Sequence, residues 1–193
     1  MNILKVRVYG DEVLRTKAKE VSKISKKVHT LIENMLATLY AYNGVGLAAP
    51  QVGESLRIFV IDVSEANQPK NPIVFINPKI IKKSGATNSS EGCLSFPDVY
   101  TDVRRYKNVT VKALNMSGKP FIIEAKDGEL LAIAIQHEFD HLEGKLFVDH
   151  ARNRFETDEK LLAKQLNPID MNYFIEEPDL EEEISKQPVK KDE

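Results

Sequence analysis

Residues 130–142, Leu130-Leu131-Ala132-Ile133-Ala134-Ile135-Gln136-His137-Glu138-Phe139-Asp140-His141-Leu142, decide how the rest of the chain is read. The first half is apolar on every side, the pattern of a helix enclosed by protein rather than one lying on its surface. The helix should open after Asp127-Gly128-Glu129 and stop near Gly144. Its second half holds H-E-x-x-H, and the i, i+4 spacing brings His137 and His141 to one face, about 40° apart around the axis. Two imidazoles so placed can share one metal ion. Glu138 stands beside a ligand without being one, which is the position a general base needs. The bland reading, two ordinary histidines on a charged surface, fits poorly with such an apolar helix.

A catalytic metal usually takes three protein ligands and keeps one position open. The zinc proteases that add a third histidine six residues on are excluded, because Phe147 stands at that place. Two candidates remain. A downstream glutamate, Glu156 or Glu159, would suit a metal-dependent endopeptidase. Cys93, in Glu91-Gly92-Cys93-Leu94-Ser95, would supply a thiolate, a strong ligand for a borderline-soft metal. A lone cysteine is more often an inert core residue, but the glycine beside it lets backbone approach closely.

Outward from the helix, the chain reads as alternating strands and turns. Apolar side chains at 28, 31, 32, 35, 36 and 39 predict a helix over 28–40, ending near Asn43-Gly44. A Gly-rich apolar loop follows over 44–53, then a buried strand over 56–63. Further strands are expected at 73–76, 80–82, 100–103, 109–114 and 121–125, and their spacing suggests antiparallel pairs. Asn153 with Glu156 could form a capping box, which puts a third helix at about 154–165. The chain has 193 residues, 42% of them hydrophobic, enough for one domain with a real core. That domain is expected to span 1–175. Residues 176–193 carry a net charge of −5 against +3 for residues 1–175, and are expected to form an acidic disordered tail. With 27 Lys+Arg against 29 Asp+Glu there is no overall basic field to hold a specific nucleic acid. One cysteine cannot form an internal disulfide, and the N-terminus has no apolar run for a signal or a membrane span, so a cytoplasmic protein is expected.

Three stretches, Gly44-Val45-Gly46-Leu47-Ala48-Ala49-Pro50-Gln51, Glu91-Gly92-Cys93-Leu94-Ser95 and Gln136-His137-Glu138-Phe139-Asp140-His141, closely resemble the three signature motifs of peptide deformylase, in order and at suitable separations. The resemblance runs from about residue 5 to about residue 150. It implies an α+β fold in which antiparallel sheets surround the helix carrying H-E-x-x-H, with an N-terminal and a C-terminal helix outside. It implies hydrolysis of the formyl group from the N-terminal formyl-methionine of newly made polypeptides. The partners would be those nascent chains, with room for a transient ribosome contact, and no membrane.

By the same resemblance Cys93, His137 and His141 would bind the metal, natively Fe(II), with zinc, nickel or cobalt able to replace it. Glu138 would move the proton, while the Gln51 side-chain amide and the Leu94 backbone N–H would donate to the oxyanion. Gly46 and Gly92 would leave room for the substrate backbone as an added strand. Val45, Leu130, Ile133 and Ala134 would line the methionine pocket, although each could equally be a core residue. Glu91 is expected to pair with Arg105, since a carboxylate in an apolar site needs a cation. Tyr100 stands where some relatives have an arginine that helps hold the substrate.

Overall fold

The structure, a computed structural model, describes residues 1–175. The acidic stretch 176–193 lies outside the described residues. Three α-helices, α1 (Lys26–Ala41), α2 (Leu130–Leu142) and α3 (Arg154–Ala163), accompany five strands, β1 (Gly46–Ala48), β2 (Ile58–Ile61), β3 (Ile73–Cys93), β4 (Phe96–Leu114) and β5 (Pro120–Ala125). The strands form one antiparallel sheet in sequential order. This is the expected α+β class, with the helix expectations met to within two residues at either end of α1 and the last two residues of the third helix left out.

The strand expectations need correction. Two pairs of short strands, 73–76 with 80–82 and 100–103 with 109–114, are each one continuous strand, β3 and β4. Residues 83–92 carry almost no large apolar side chains and show no alternation to read. Backbone pairing with β4 holds them instead, with register shifts between Ile76 and Lys79 and between Ile80 and Lys82. Asn77, at the first shift, takes a positive φ of 50°, and its side-chain amide replaces lost ladder bonds by pairing with the Val21 backbone at 2.8 and 2.9 Å. The Gly-rich loop also contains structure, since Gly46–Ala48 pairs with β2 and Ala49–Val52 makes a 3-10 turn. The strand expected over 56–63 shrinks to 58–61.

α2 runs through the interior as its composition requires, with Ala132 to Glu138, His141 and Leu142 buried, and it packs on β1, β2 and β4. Ala132, Ala134, Ile135 and Leu142 join Phe59, Phe75, Val109 and Val111 in one core cluster. α1 lays Val28, Ile32, Met35 and Leu39 on a second cluster formed with Leu47, Ile58 and Val60. Gly144 ends the helix turn at φ 71°, where a Cβ would run into the backbone of Arg15. The C-terminal end of α2 is therefore held close against the Arg15 backbone. Among the described residues no helix is long and apolar enough to cross a membrane.

Candidate metal centre

β3 ends at Cys93, a two-residue turn follows, and β4 begins at Phe96, so the hairpin tip delivers the thiol to α2. The ligand atoms of Cys93, His137 and His141 all lie within 4.8 Å of one another. Cys93 Sγ is 3.4 Å from His141 Nε2. Gln51 comes from the 3-10 turn after β1. Its Oε1 accepts from the Ala48 N–H at 2.8 Å, which turns Nε2 toward Cys93 Sγ at 3.3 Å and Ser95 Oγ at 3.3 Å. The Ser95 N–H also donates to the sulfur at 3.4 Å.

Behind the histidines lies a buried charged network. Arg105 donates from Nε and Nη2 to the two Glu91 oxygens at 2.7 and 2.9 Å, and from Nη1 to Asp140. Glu91 Oε2 lies 2.8 Å from His137 Nδ1. This fixes the ring and leaves Nε2 for the thiol side, the outer carboxylate that oriented metal-binding imidazoles commonly have. The expected Glu91 and Arg105 pair is thus present and extends one step further, to the His137 ring. Burial alone would raise the Glu91 pKa, but the Arg105 charge and its hydrogen bonds outweigh it and hold the pKa at about 2.

Burial and the neighbouring His137 hold the His141 pKa well below its ordinary range, so its imidazole is neutral, the state a ligand requires. For His137, burial opposes a positive charge, yet hydrogen bonds to Cys93 and Glu91 prevail and raise its pKa well above the ordinary range. One soft sulfur and two imidazoles, converging within 4.8 Å, are a donor set that fits a transition metal.

Glu138 is buried beside this group and Gly46 faces it. A Cβ on Gly46 would overlap the Glu138 carboxylate, coming within 2.9 Å of its Cγ. Glu138 Oε2 has no hydrogen-bond partner among the described residues. Burial, with the Glu91 charge assisting and the His137 charge opposing, lifts the Glu138 pKa to about 7, the range in which a carboxyl can both accept and return a proton near neutrality.

Of the other expected site residues, Gly92 has the ring of Tyr100 packed close to it, with Tyr100 Cδ1 2.7 Å from where a Cβ would stand. Val45 and Leu130 are exposed, while Ile133 and Ala134 are buried, Ala134 within the core cluster. The Leu94 side chain packs beside the α1 cluster. Glu156 is not with the histidines: it lies in the first turn of α3, where its N–H donates to the capping Asn153 Oδ1 at 3.2 Å, and its carboxylate pairs with Lys160 at 2.7 Å. Sequence reasoning missed Asp140, Ser95 and His150. His150 Nε2 lies 3.3 Å from Asp140 Oδ2. A charged Asp140 on an otherwise enclosed helix was the available signal.

A helix-borne histidine pair, a convergent thiol and a buried carboxyl with a free oxygen define a metal-dependent hydrolase. A sequence model described as polypeptide deformylase matches residues 3–156. The chain is 53% identical over 150 residues to the peptide deformylase of Pseudoalteromonas translucida, covering 78% of this chain and 87% of that one. The crystal structure of a peptide deformylase from Synechococcus elongatus in complex with actinonin superposes with a TM-score of 0.81 at 42% identity, covering 89% and 91% of the two chains. That from Thermotoga maritima gives 0.73 at 42% identity, covering 79% and 100%. The chain belongs to the polypeptide deformylase family. The activity that goes with membership is metal-dependent removal of the N-formyl group from nascent polypeptides.

Proposed function

We propose that Cys93, His137 and His141 hold one metal ion, natively Fe(II), with zinc, nickel or cobalt able to replace it, and that residues 1–175 form one catalytic domain around it. The observation that carries this reading is the convergence of the thiol with both imidazoles within 4.8 Å. Bound there, the ion supplies Lewis-acid polarisation of the formyl carbonyl and acidifies the attacking water. Glu138 takes the water proton with its unpartnered Oε2 and returns it to the leaving amine. As the carbonyl oxygen gains charge, the Gln51 amide and the Leu94 backbone N–H donate to it, each such donor being worth about 3 kcal/mol of barrier. Ala48 holds that amide in orientation through Gln51 Oε1.

The peptide lies as an added strand along the open edges of β1 at Gly46 and of β3 at Gly92, with methionine toward Val45, Leu130, Ile133 and Ala134. Among the described residues β1 pairs only with β2, which supports an available edge. The protein works in the cytoplasm, on chains still near the ribosome, and needs no membrane or specific nucleic acid.

The test is formate release from formyl-Met-Ala-Ser by the metal-loaded protein. Acetyl-Met-Ala-Ser should react at least about 100-fold more slowly, about 2.7 kcal/mol in barrier. Glu138→Gln should keep its metal and lose at least about 100-fold in kcat. Chelator-sensitive fragmentation of casein without formate release would replace this reading with an endopeptidase.

A further inference from the structure

Residues 4–9 belong to no helix or strand, yet this segment touches both turns that carry the proposed oxyanion donors. The Arg7 N–H donates to the Gln51 carbonyl at 2.8 Å, and the Tyr9 N–H donates to the Ser95 carbonyl at 2.9 Å. Bonding by every second residue is what extended chain does along one edge. The Val8 N–H between them makes no backbone bond among the described residues.

Both ends of the segment are anchored. The Leu4 N–H donates to Thr38 Oγ1 on α1 at 2.8 Å, and Val6 is buried. At the far end the Tyr9 ring stacks on Phe96 with centroids 4.6 Å apart. Asp11 then caps the 3-10 turn Glu12–Arg15, its Oδ1 accepting the Val13 N–H at 3.1 Å. The Arg7 side chain covers Gly53, which ends the Gln51 turn at φ 87°, and a Cβ there would stand 2.9 Å from Arg7 Nη2.

The two turns come from separate parts of the sheet. Gln51 follows β1, Leu94 joins β3 to β4, and β2 lies between β1 and β3. Across that gap the Gln51 amide reaches Cys93 Sγ and Ser95 Oγ at 3.3 Å each, but an amide that must donate to substrate cannot also fix the spacing of the turns. We propose that residues 4–9 are a strap that sets the spacing of the Gln51 amide and the Leu94 N–H, with Arg7 and Tyr9 as positioning residues acting through their backbone N–H groups. This rests on the reading of Gln51 and Leu94 as oxyanion donors. Such donors work at about 2.7–3.1 Å from the developing charge, so a small shift of either turn loses much of their effect.

A double-mutant cycle on the metal-loaded full-length protein tests the strap, with formate release from formyl-Met-Ala-Ser and metal content as readouts. Arg7→Pro removes the N–H, and Arg7→Ala keeps it. Arg7→Pro should lose at least about tenfold in kcat, with KM within about twofold and a full equivalent of metal retained, while Arg7→Ala should lose less than about threefold. In a Gln51→Ala background the further cost of Arg7→Pro should shrink to less than about threefold, because the donor it positions is already gone. A general loss of folded protein takes the same factor from both backgrounds. Equal losses in the two backgrounds, or full kcat in Arg7→Pro, would overturn the strap. Failure of the donor reading looks different, since Gln51→Ala alone would then keep full kcat. Should Arg7→Pro not fold, hydrogen exchange in the parent decides: the Arg7 and Tyr9 amides should exchange at least about 100-fold more slowly than the Val8 amide, and equal rates would contradict the proposal.

Discussion

Two guanidinium groups, Arg105 buried and Arg15 partly buried, each grip a carboxylate with two bonds. Arg105 holds Glu91 at 2.7 and 2.9 Å beneath the metal centre. Arg15 holds Asp149 through Nη1 and, at 2.9 Å, through Nη2, with the Tyr173 ring 4.1 Å from its guanidinium carbon. The grips are alike, and the difference lies in what else the carboxylate touches. Glu91 Oε2 also meets the His137 ring, whereas Asp149 Oδ2 accepts the Leu146 backbone N–H at 2.7 Å. One pair is therefore coupled to the His137 ring. The other ties the N-terminal turn to the segment after α2 and to the chain near Tyr173, beside a cavity of about 530 Å³ lined by Tyr9, Arg15 and Tyr173. Equal chemistry orients a histidine ring of the candidate site in one place and ties chain segments together in the other.

The comparison breaks most visibly at Arg105. Arg105→Met leaves Glu91 and Asp140 buried without their cation, and should cost about 3–5 kcal/mol in denaturant unfolding and lose the metal as well. Asp149→Asn should cost about 3 kcal/mol by the same logic, but with metal affinity unchanged in a competition titration. If both variants lost metal equally, the functional distinction between the two pairs would fail.

Glu91→Gln sharpens the contrast, since it keeps the shape and removes the charge behind His137. Metal affinity should fall about 10–100-fold. In the metal-free parent, the depressed Glu91 pKa means a stabilisation fully present above its ordinary value of 4.5 and lost as pH falls toward about 2. Unfolding followed against pH should show that acid-dependent contribution in the parent and not in Glu91→Gln. The smallest effect is expected at Tyr173→Ala, about 1 kcal/mol from the lost cation and ring contact, with kcat and metal content as in the parent.

The site was more legible than the sheet, for physical reasons. Metal chemistry demands particular residue types at particular spacings, so His137, His141 and Cys93 stand out in sequence, and α2 was visible because an enclosed helix is apolar all round. The distal halves of β3 and β4 were not visible, because Ser84 to Ser90 are held by backbone bonds that any side chain permits. Nor could spacing couple Arg15 to Asp149, 134 residues apart. The need for glycine at 46 became clear only with the Glu138 carboxylate lying where its Cβ would be.

The central claim is that a thiolate and two imidazoles bind the metal of this hydrolase. X-ray absorption on the zinc-loaded protein tests it directly. The account predicts one sulfur scatterer at about 2.3 Å and two imidazole nitrogens at about 2.0–2.1 Å, with the sulfur and a full equivalent of metal both lost in Cys93→Ala. A shell of nitrogen and oxygen alone, unchanged in that variant, would contradict it.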